Sequence, residues 1–144
     1  MKKLLTLVWL MCGICFFQIS EVQAQEKKKE GTASYYHNKF NGRPTATGEI
    51  FRNSGYTAAS NHFPLGTYVK VTNKKNGNVI YVKINDRMGH PSRVIDLTER
   101  AAIDLNFKSS GTTKVSIEVV NADEGKRKIL AQNEALNAKP KKKL

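Results

Sequence analysis

An alternating pattern of apolar and polar residues limits this chain, more than any other feature, to a β-rich fold. Val69 and Val71 alternate with polar residues in segment 68–72, which is typical of a strand with one buried face. Residues 78–84 form a second, largely apolar run, and Asn76-Gly77 between the runs is a strong hairpin signal. The pattern therefore predicts two antiparallel strands joined by a tight turn.

Three further short strands and one helix are predicted around this hairpin. The helix is expected from Leu97 to about Leu105, because its apolar residues recur at helical spacing. Asp96 and Glu99 are three apart, a capping-box spacing, so Asp96 is interpreted first as the helix cap. Several short strands, one small helix and long loops indicate a small closed barrel. The three strands are residues 32–36, 93–95 and 115–120.

Residues 1–24 are predicted to be a secretory signal peptide. A basic start precedes an apolar run, residues 4–17, that is shorter than the ~20 residues of a membrane span. A small-residue cleavage site ends at Ala24. The only cysteines, Cys12 and Cys15, lie in that run, so the exported chain is expected to have neither disulfide nor thiol nucleophile. A bulky isoleucine before the second cysteine argues against a lipid anchor. The chain is expected to be secreted across the inner membrane and to reside in the periplasm or cell envelope.

One domain, residues 31–120, is expected between two flexible basic segments. Residues 25–30 form a charged lead-in, and residues 121–144 are a basic tail expected to be largely disordered, apart from a short frayed helix around its few apolar residues. The net charge of +12 suits an anionic partner such as cell-wall polymer or an anionic envelope surface that the tail would contact. No aromatic-basic motif points to nucleic acid, and a monomer is expected.

Asp86 is the strongest candidate for chemistry. It ends the run Ile84-Asn85-Asp86-Arg87, which places its carboxylate at a strand end, on the rim of the fold where functional groups are usually found. The residues alone leave two interpretations open. Asp86 could act on a substrate, or it could order its own loop by pairing with Arg87 or by accepting backbone N–H bonds.

Cofactors and metals are not expected. His37, His62 and His90 lie in separate segments without the spacing of metal ligands. The chain also lacks a Ser-centred elbow, a phosphate-binding loop and a dinucleotide fingerprint.

Seven short motifs in order resemble the RlpA-like (rare lipoprotein A) family over essentially all of residues 31–120. The resemblance implies a six-stranded double-psi β-barrel, a fold shared with expansin-like wall-loosening domains. Family members are periplasmic or lipid-anchored cell-wall proteins, and some are lytic transglycosylases that act on glycan strands lacking stem peptides. The motifs are Gly31-Thr-Ala-Ser-Tyr-Tyr36, Gly42-Arg-Pro-Thr-Ala-Thr-Gly-Glu49, Tyr56-Thr-Ala-Ala59, Phe63-Pro-Leu-Gly-Thr67, Val69-Lys-Val-Thr-Asn73, Ile84-Asn-Asp-Arg87 and Ile95-Asp-Leu-Thr98.

The resemblance also implies roles for individual residues. Asp86 matches the family's proposed catalytic acid, and Glu49 matches a second acidic residue important for activity. A lytic transglycosylase needs one protonated carboxyl group, and a like charge from Glu49 would favour the protonated form of Asp86. The expected substrate-binding residues are His62, Arg87, Tyr36 and Ser60.

Two departures from the family pattern keep a second function open. Arg52 stands where the family often has Asp, and Ser60 stands where it usually has His, with His62 two residues further on. The first prediction is an exported endolytic peptidoglycan transglycosylase that leaves 1,6-anhydro-muramic ends, in wall remodelling or daughter-cell separation. The alternative is a non-catalytic peptidoglycan-binding module that loosens the wall as expansin-like domains do.

Overall fold

The computed structural model describes residues 27–139, so the predicted signal peptide and residues 140–144 of the tail lie outside the described residues. The described range holds six strands, two α-helices and two short 3-10 turns, Asn38–Phe40 and Lys108–Ser110. Within it, no helix is both long and apolar enough to cross a membrane. The elements are β1 (Lys28–Tyr35), β2 (Thr57–Ala59), β3 (Tyr68–Asn73), β4 (Val79–Asp86), β5 (Ile95–Leu97), α1 (Glu99–Asp104), β6 (Thr113–Val120) and α2 (Ala122–Ala138).

The six strands close into a barrel in the order β1-β5-β2-β4-β3-β6. The β1–β5 and β2–β4 pairs are parallel and the others are antiparallel. Inward-facing side chains fill the barrel, and they include the fully buried Val69, Val71, Val82, Ile84 and Ile117. The prediction of a mainly β, six-stranded barrel with a short helix is confirmed.

The predicted hairpin joins β3 and β4. Its turn is closed by bonds from Asn73 N to Asn78 O at 2.8 Å and from Gly77 N to Asn73 O at 2.7 Å. Gly77 has φ +77°, a conformation that glycine adopts without steric cost. The three-residue strand β2 was not predicted, because its buried Ala58 and Ala59 show no alternation.

The start of α1 differs from the prediction. Thr98, not Asp96, is the N-cap, and its Oγ1 accepts a bond from Ala101 N at 3.2 Å. Asp96 is still part of β5, which pairs with β1 as far as Leu97. The helix therefore begins after the strand has ended, and the capping role predicted for Asp96 is wrong.

The prediction of disorder at the two ends of the domain is also wrong for the described residues concerned. Lys28–Glu30 of the supposed lead-in belong to β1, where they pair with β6. Ala122–Ala138 of the supposed tail form α2, which packs on β3 and β4. The Gln132 side chain accepts from Tyr81 N at 2.7 Å and donates to Tyr81 O at 2.9 Å. Tertiary contacts of this kind hold a helix whose own apolar stripe is sparse.

Candidate active site

A β-bulge at the end of β4 sets the direction of the Asp86 side chain. Along the β2–β4 pair Ala58 faces Ile84, but Ala59 faces Asp86, so Asn85 is an extra residue in the ladder. Bulges commonly re-aim a side chain next to a functional site. Here Asn85 is 2% exposed, whereas Asp86 is partly open to solvent at the rim.

Three donors surround the Asp86 carboxylate. Its Oδ2 accepts the Tyr36 hydroxyl at 2.8 Å, and its Oδ1 accepts the backbone N–H groups of Ala46 at 3.0 Å and Arg87 at 2.9 Å. Burial and the neighbouring Asp86 raise the pKa of Tyr36, so the phenol keeps its proton and stays a donor. The arrangement complements a negative charge on Asp86.

Tyr36 is held by aromatic packing, which fixes its hydroxyl. Its ring lies 4.5 Å from the Phe51 ring and 5.8 Å, edge to face, from the Phe40 ring, measured between centroids. The neighbouring Tyr35 points elsewhere, because its ring packs on Phe107 and its hydroxyl donates to Lys108 O at 3.0 Å. Tyr36 is thus the tyrosine of this pair that reaches the candidate site.

Glu49 is fixed by a cation. Lys83 Nζ lies 2.9 Å from its Oε1, and Thr47 Oγ1 donates to the same oxygen at 3.1 Å. The Lys83 hydrogen bond lowers the pKa of Glu49 and outweighs the opposing effect of burial, so this carboxylate is ionised at neutral pH. The loop that carries Glu49 also contacts the end of β4 at two points. Ala46 N donates to Asp86, and Thr47 N donates to Asn85 O at 3.2 Å. The two acids therefore belong to one rim, but Lys83 offsets the like charge that Glu49 would present.

The Glu49–Lys83 pair should make a small, pH-dependent contribution to stability. The pKa of Glu49 is lowered from 4.5 in the folded state, so the contribution is present above pH 4.5 and is lost as pH falls through the lowered value. Both side chains are partly exposed, which limits the contribution to less than ~1 kcal/mol. Urea unfolding should show Glu49→Gln less stable than the wild type at pH 6. A difference of equal size at pH 2.5 would contradict this assignment.

The predicted substrate-binding residues near Asp86 fall into different environments. Arg87 is exposed, and its guanidinium donates to the carbonyl oxygens of Ser60 and Phe63. His62 is exposed and lies between Ser60 and Phe63 in the chain. Its backbone N–H donates to Ser60 Oγ at 3.2 Å. Ser60 is 0% exposed and donates its hydroxyl to Val94 O at 2.8 Å. The prediction that Ser60 binds substrate is therefore wrong, because its hydroxyl is buried and bonded.

Asp96 has surroundings that the sequence did not reveal. Ala59 pairs with Asp86 on one side and with Asp96 on the other, so the two carboxylates belong to one row across three strands. Ser34 donates to Asp96, and Arg93 Nε lies 3.4 Å from Asp96 Oδ1. The sequence does contain a signal for this pairing, because Asp86 and Asp96 each follow an apolar run. The capping-box spacing between Asp96 and Glu99 nevertheless favoured the interpretation of Asp96 as a helix cap. Residues 27–139 hold no cluster of three or more His, Cys, Asp or Glu side chains suited to a metal.

Comparison with known proteins gives concordant matches. The protein family described as "Lytic transglycolase" matches residues 28–117. The "Endolytic peptidoglycan transglycosylase RlpA" of Pasteurella multocida is 38% identical over 116 residues, which are 80% of this chain and 40% of that protein. The "Probable endolytic peptidoglycan transglycosylase RlpA" of Treponema pallidum is 49% identical over 89 residues, which are 61% of this chain and 28% of that protein. The chain thus spans less than half the length of these relatives.

Solved structures share the barrel. The Streptomyces papain inhibitor superposes with a TM-score of 0.54 at 25% identity, over 68% of this chain and 98% of the inhibitor. The expansin of Clavibacter michiganensis superposes with a TM-score of 0.51 at 23% identity, over 66% of this chain and 51% of the expansin. The second likeness concerns the fold alone.

Proposed function

This chain belongs to the lytic transglycolase family, whose domain here is a double-psi β-barrel, and on that premise we propose that it cleaves peptidoglycan glycan strands without water. Asp86 is the proposed proton donor and acceptor. The observation that carries the proposal is its rim position under three donors, from Tyr36, Ala46 and Arg87. Export to the periplasm or cell envelope is part of the same proposal.

The proposed reaction needs one carboxyl group. Protonated Asp86 gives its proton to the glycosidic oxygen as the bond from that oxygen to C1 of the muramic residue breaks. The carboxylate then takes the proton of the C6 hydroxyl, whose oxygen bonds to C1 and closes the 1,6-anhydro ring. The three donors favour the negative charge that Asp86 acquires when its proton leaves, which is electrostatic stabilisation of the developing anion.

The neighbouring residues have supporting roles in this proposal. Glu49, held ionised by Lys83, is not a proton donor and instead orders the loop that presents Ala46 N–H to Asp86. His62 and Arg87, whose side chains are exposed, are the residues proposed to contact the glycan.

One structural feature favours a second candidate function, a non-catalytic peptidoglycan-binding module. The three donors that surround Asp86 hold its carboxylate oxygens in place on the rim, and oxygens placed in this way accept hydrogen bonds from sugar hydroxyl groups without any proton transfer to the glycan. The buried Ser60, where the family usually has His, removes one further proton-carrying group from the rim.

Digestion of denuded sacculi distinguishes the two functions. The proposed transglycosylase releases fragments with 1,6-anhydro-muramic ends, which mass spectrometry separates from hydrolysis products because the latter are heavier by one water. Sedimentation of the chain with sacculi, without any soluble fragment, would contradict the proposal and support the binding module. Fragments with reducing muramic ends would contradict both.

Replacing Tyr36 with Phe should slow the reaction with little effect on folding. The substitution keeps the ring packing and removes one hydrogen bond to the Asp86 carboxylate, and such bonds to charged groups contribute about 1.5–3 kcal/mol. If that bond forms fully as the proton leaves, the rate falls by about 10- to 100-fold. Initial rates of anhydro-fragment release measure the change. Tyr35→Phe, whose hydroxyl binds Lys108 O instead, is the matched control and should keep the wild-type rate.

A further inference from the structure

The proposed reaction leaves one aspartate close to Asp86 without a role. Asp96 lies on the other side of Ala59 from Asp86, because Ala59 of β2 is the register partner of both residues. Neighbouring strands are about 4.8 Å apart, so the Cα atoms of the two aspartates are separated by roughly 10 Å. Both carboxyl groups can therefore contact one glycan strand, since the two carboxyl groups that flank one bond in glycosidases lie about 5–9.5 Å apart.

The Asp96 side chain points away from the barrel core. Ile95 and Leu97, on either side of it in β5, are fully buried in the core, and side chains alternate between the two faces of a strand. Ala59 contributes only a buried methyl group between Asp86 and Asp96, so no long side chain of β2 separates them. The Asp96 side chain is 15% exposed, which leaves part of its carboxylate accessible from outside the barrel.

Two side chains fix one oxygen of Asp96 and leave the other oxygen unused. Ser34 Oγ donates to Asp96 Oδ1, and Arg93 Nε lies 3.4 Å from the same oxygen. Arg93 also donates to Ser34 Oγ at 2.8 Å, so the two partners of Asp96 hold each other in place. Among residues 27–139, Asp96 Oδ2 has no hydrogen-bond partner. The carboxylate is thus held in one orientation with an acceptor oxygen left over.

Tyr36 connects Asp96 with the candidate active site. Burial and the hydrogen bond to Asp86 contribute most to the raised pKa of Tyr36, and the negative charge of Asp96 raises it further. Such an effect between charges falls off with distance, so the Asp96 carboxylate lies near the phenol that donates to Asp86. The two aspartates therefore share a neighbour as well as a row of the barrel.

We propose that Asp96 is a substrate-binding residue of the same site, whose Oδ2 accepts a hydrogen bond from a hydroxyl or acetamido N–H group of the glycan at Asp86; the inference rests on the proposed function. A carboxylate accepts such a bond more strongly than a neutral oxygen does. Because Ser34 and Arg93 already fix the side chain, binding costs little of its conformational entropy. Asp96 thus orients the sugar beside the bond that Asp86 cleaves.

A binding experiment without turnover tests the role of Asp96. The host chain carries Asp86→Asn, and fluorescence anisotropy measures the Kd of a labelled denuded glycan oligosaccharide. Ser34 and Arg93 are both donors, so Asp96→Asn turns its amide oxygen towards them and places its NH2 group where Oδ2 was. The Kd should rise about tenfold, which corresponds to ~1.4 kcal/mol. Removing a negative charge would by itself strengthen the binding of an anionic glycan, so the change in net charge does not explain weaker binding.

Asp104→Asn is the matched control for the loss of an ion pair. Asp104 is also paired with an arginine, Arg100, it also accepts from a hydroxyl group, that of Tyr56, and its side chain is 23% exposed. It lies beside the β3–β4 hairpin, where its carbonyl oxygen accepts from Asn78 Nδ2 at 3.3 Å. In the same host this substitution should leave the Kd unchanged.

Selective weakening of glycan binding by Asp96→Asn supports the proposal. An unchanged Kd overturns it, and so does equal weakening by Asp96→Asn and Asp104→Asn, because a loosened barrel then explains the effect. If Asp96→Asn does not fold, Ser34→Ala decides: it keeps the carboxylate but removes one of its two donors, and should raise the Kd about threefold. An unchanged Kd for Ser34→Ala would then refute the role of Asp96. Failure of the proposed function is a separate result, namely the absence of anhydro fragments in digests by the wild-type chain.

Discussion

Replacing Asp86 with Asn should reduce the release of anhydro-muramic fragments from denuded glycan by about 10²- to 10⁴-fold, the usual contribution of a general acid or base. The amide cannot give a proton to the glycosidic oxygen or take one from the C6 hydroxyl, so both halves of the reaction are lost. Fragment release from purified sacculi, quantified by mass spectrometry, measures the effect. Glycan affinity should change much less, because the amide side chain remains polar and of nearly the same size as the carboxylate.

A second aspartate provides the control for this substitution. Asp123 lies exposed in the first turn of α2, and Asp123→Asn removes the same charge outside the candidate site. It should release fragments at the wild-type rate. If Asp86→Asn retains wild-type turnover with unchanged folding, the catalytic role of Asp86 is wrong, whatever the function of the rest of the rim.

Gly125→Ala should destabilise the protein, although alanine has a higher helix propensity than glycine. Alanine in a helix interior is favoured over glycine by about 1 kcal/mol. Here, however, a Cβ would meet Tyr68 Cβ at 2.3 Å and its ring carbon Cγ at 2.4 Å, so the helix must move away from β3. Overpacking of this kind costs about 1–3 kcal/mol. Thermal and urea unfolding measure the net change.

Local displacement of α2 should accompany this loss. Hydrogen exchange of the Tyr81 amide reports it directly, because that N–H donates to Gln132 in the intact helix. Asn137→Ala, at an exposed position in the last turn, is the control and should leave both stability and exchange nearly unchanged. A Gly125→Ala protein as stable as the wild type, with its Tyr81 amide equally protected, would show that the contact is easily relieved.

The sequence predicts the elements whose formation depends on residues close together in the chain. The β3–β4 hairpin follows from alternation and from Asn76-Gly77, both of which act within a few residues. The helix α2 does not, because it is anchored by Gly125 on Tyr68 and by Gln132 on Tyr81, and neither residue type indicates burial by itself. The capping-box spacing at Asp96 was misleading because strand pairing with β1 continues to Leu97 and delays the helix.

The candidate site shows the same limit. Family resemblance singled out Asp86 and Glu49, but their partners come from distant segments. The Tyr36–Asp86 bond spans 50 positions and the Lys83–Glu49 pair spans 34, so no pattern within one segment reveals them. These partners are what distinguish the two acids, since Glu49 has a cation and Asp86 has uncharged donors.

The two bonds between Gln132 and Tyr81 have a consequence for how the barrel avoids self-association. The strand β2 pairs with only Lys83–Asp86 of β4, and in the described part of the chain no strand covers the same side of β4 at Tyr81. An exposed backbone N–H and C=O on a strand invite pairing with another chain. The Gln132 amide occupies both groups, so one side chain takes the place of a missing strand. The helix α2 therefore protects this edge of β4. A chain shortened before Ala122 would expose the Tyr81 backbone, which could then pair with the same segment of another copy.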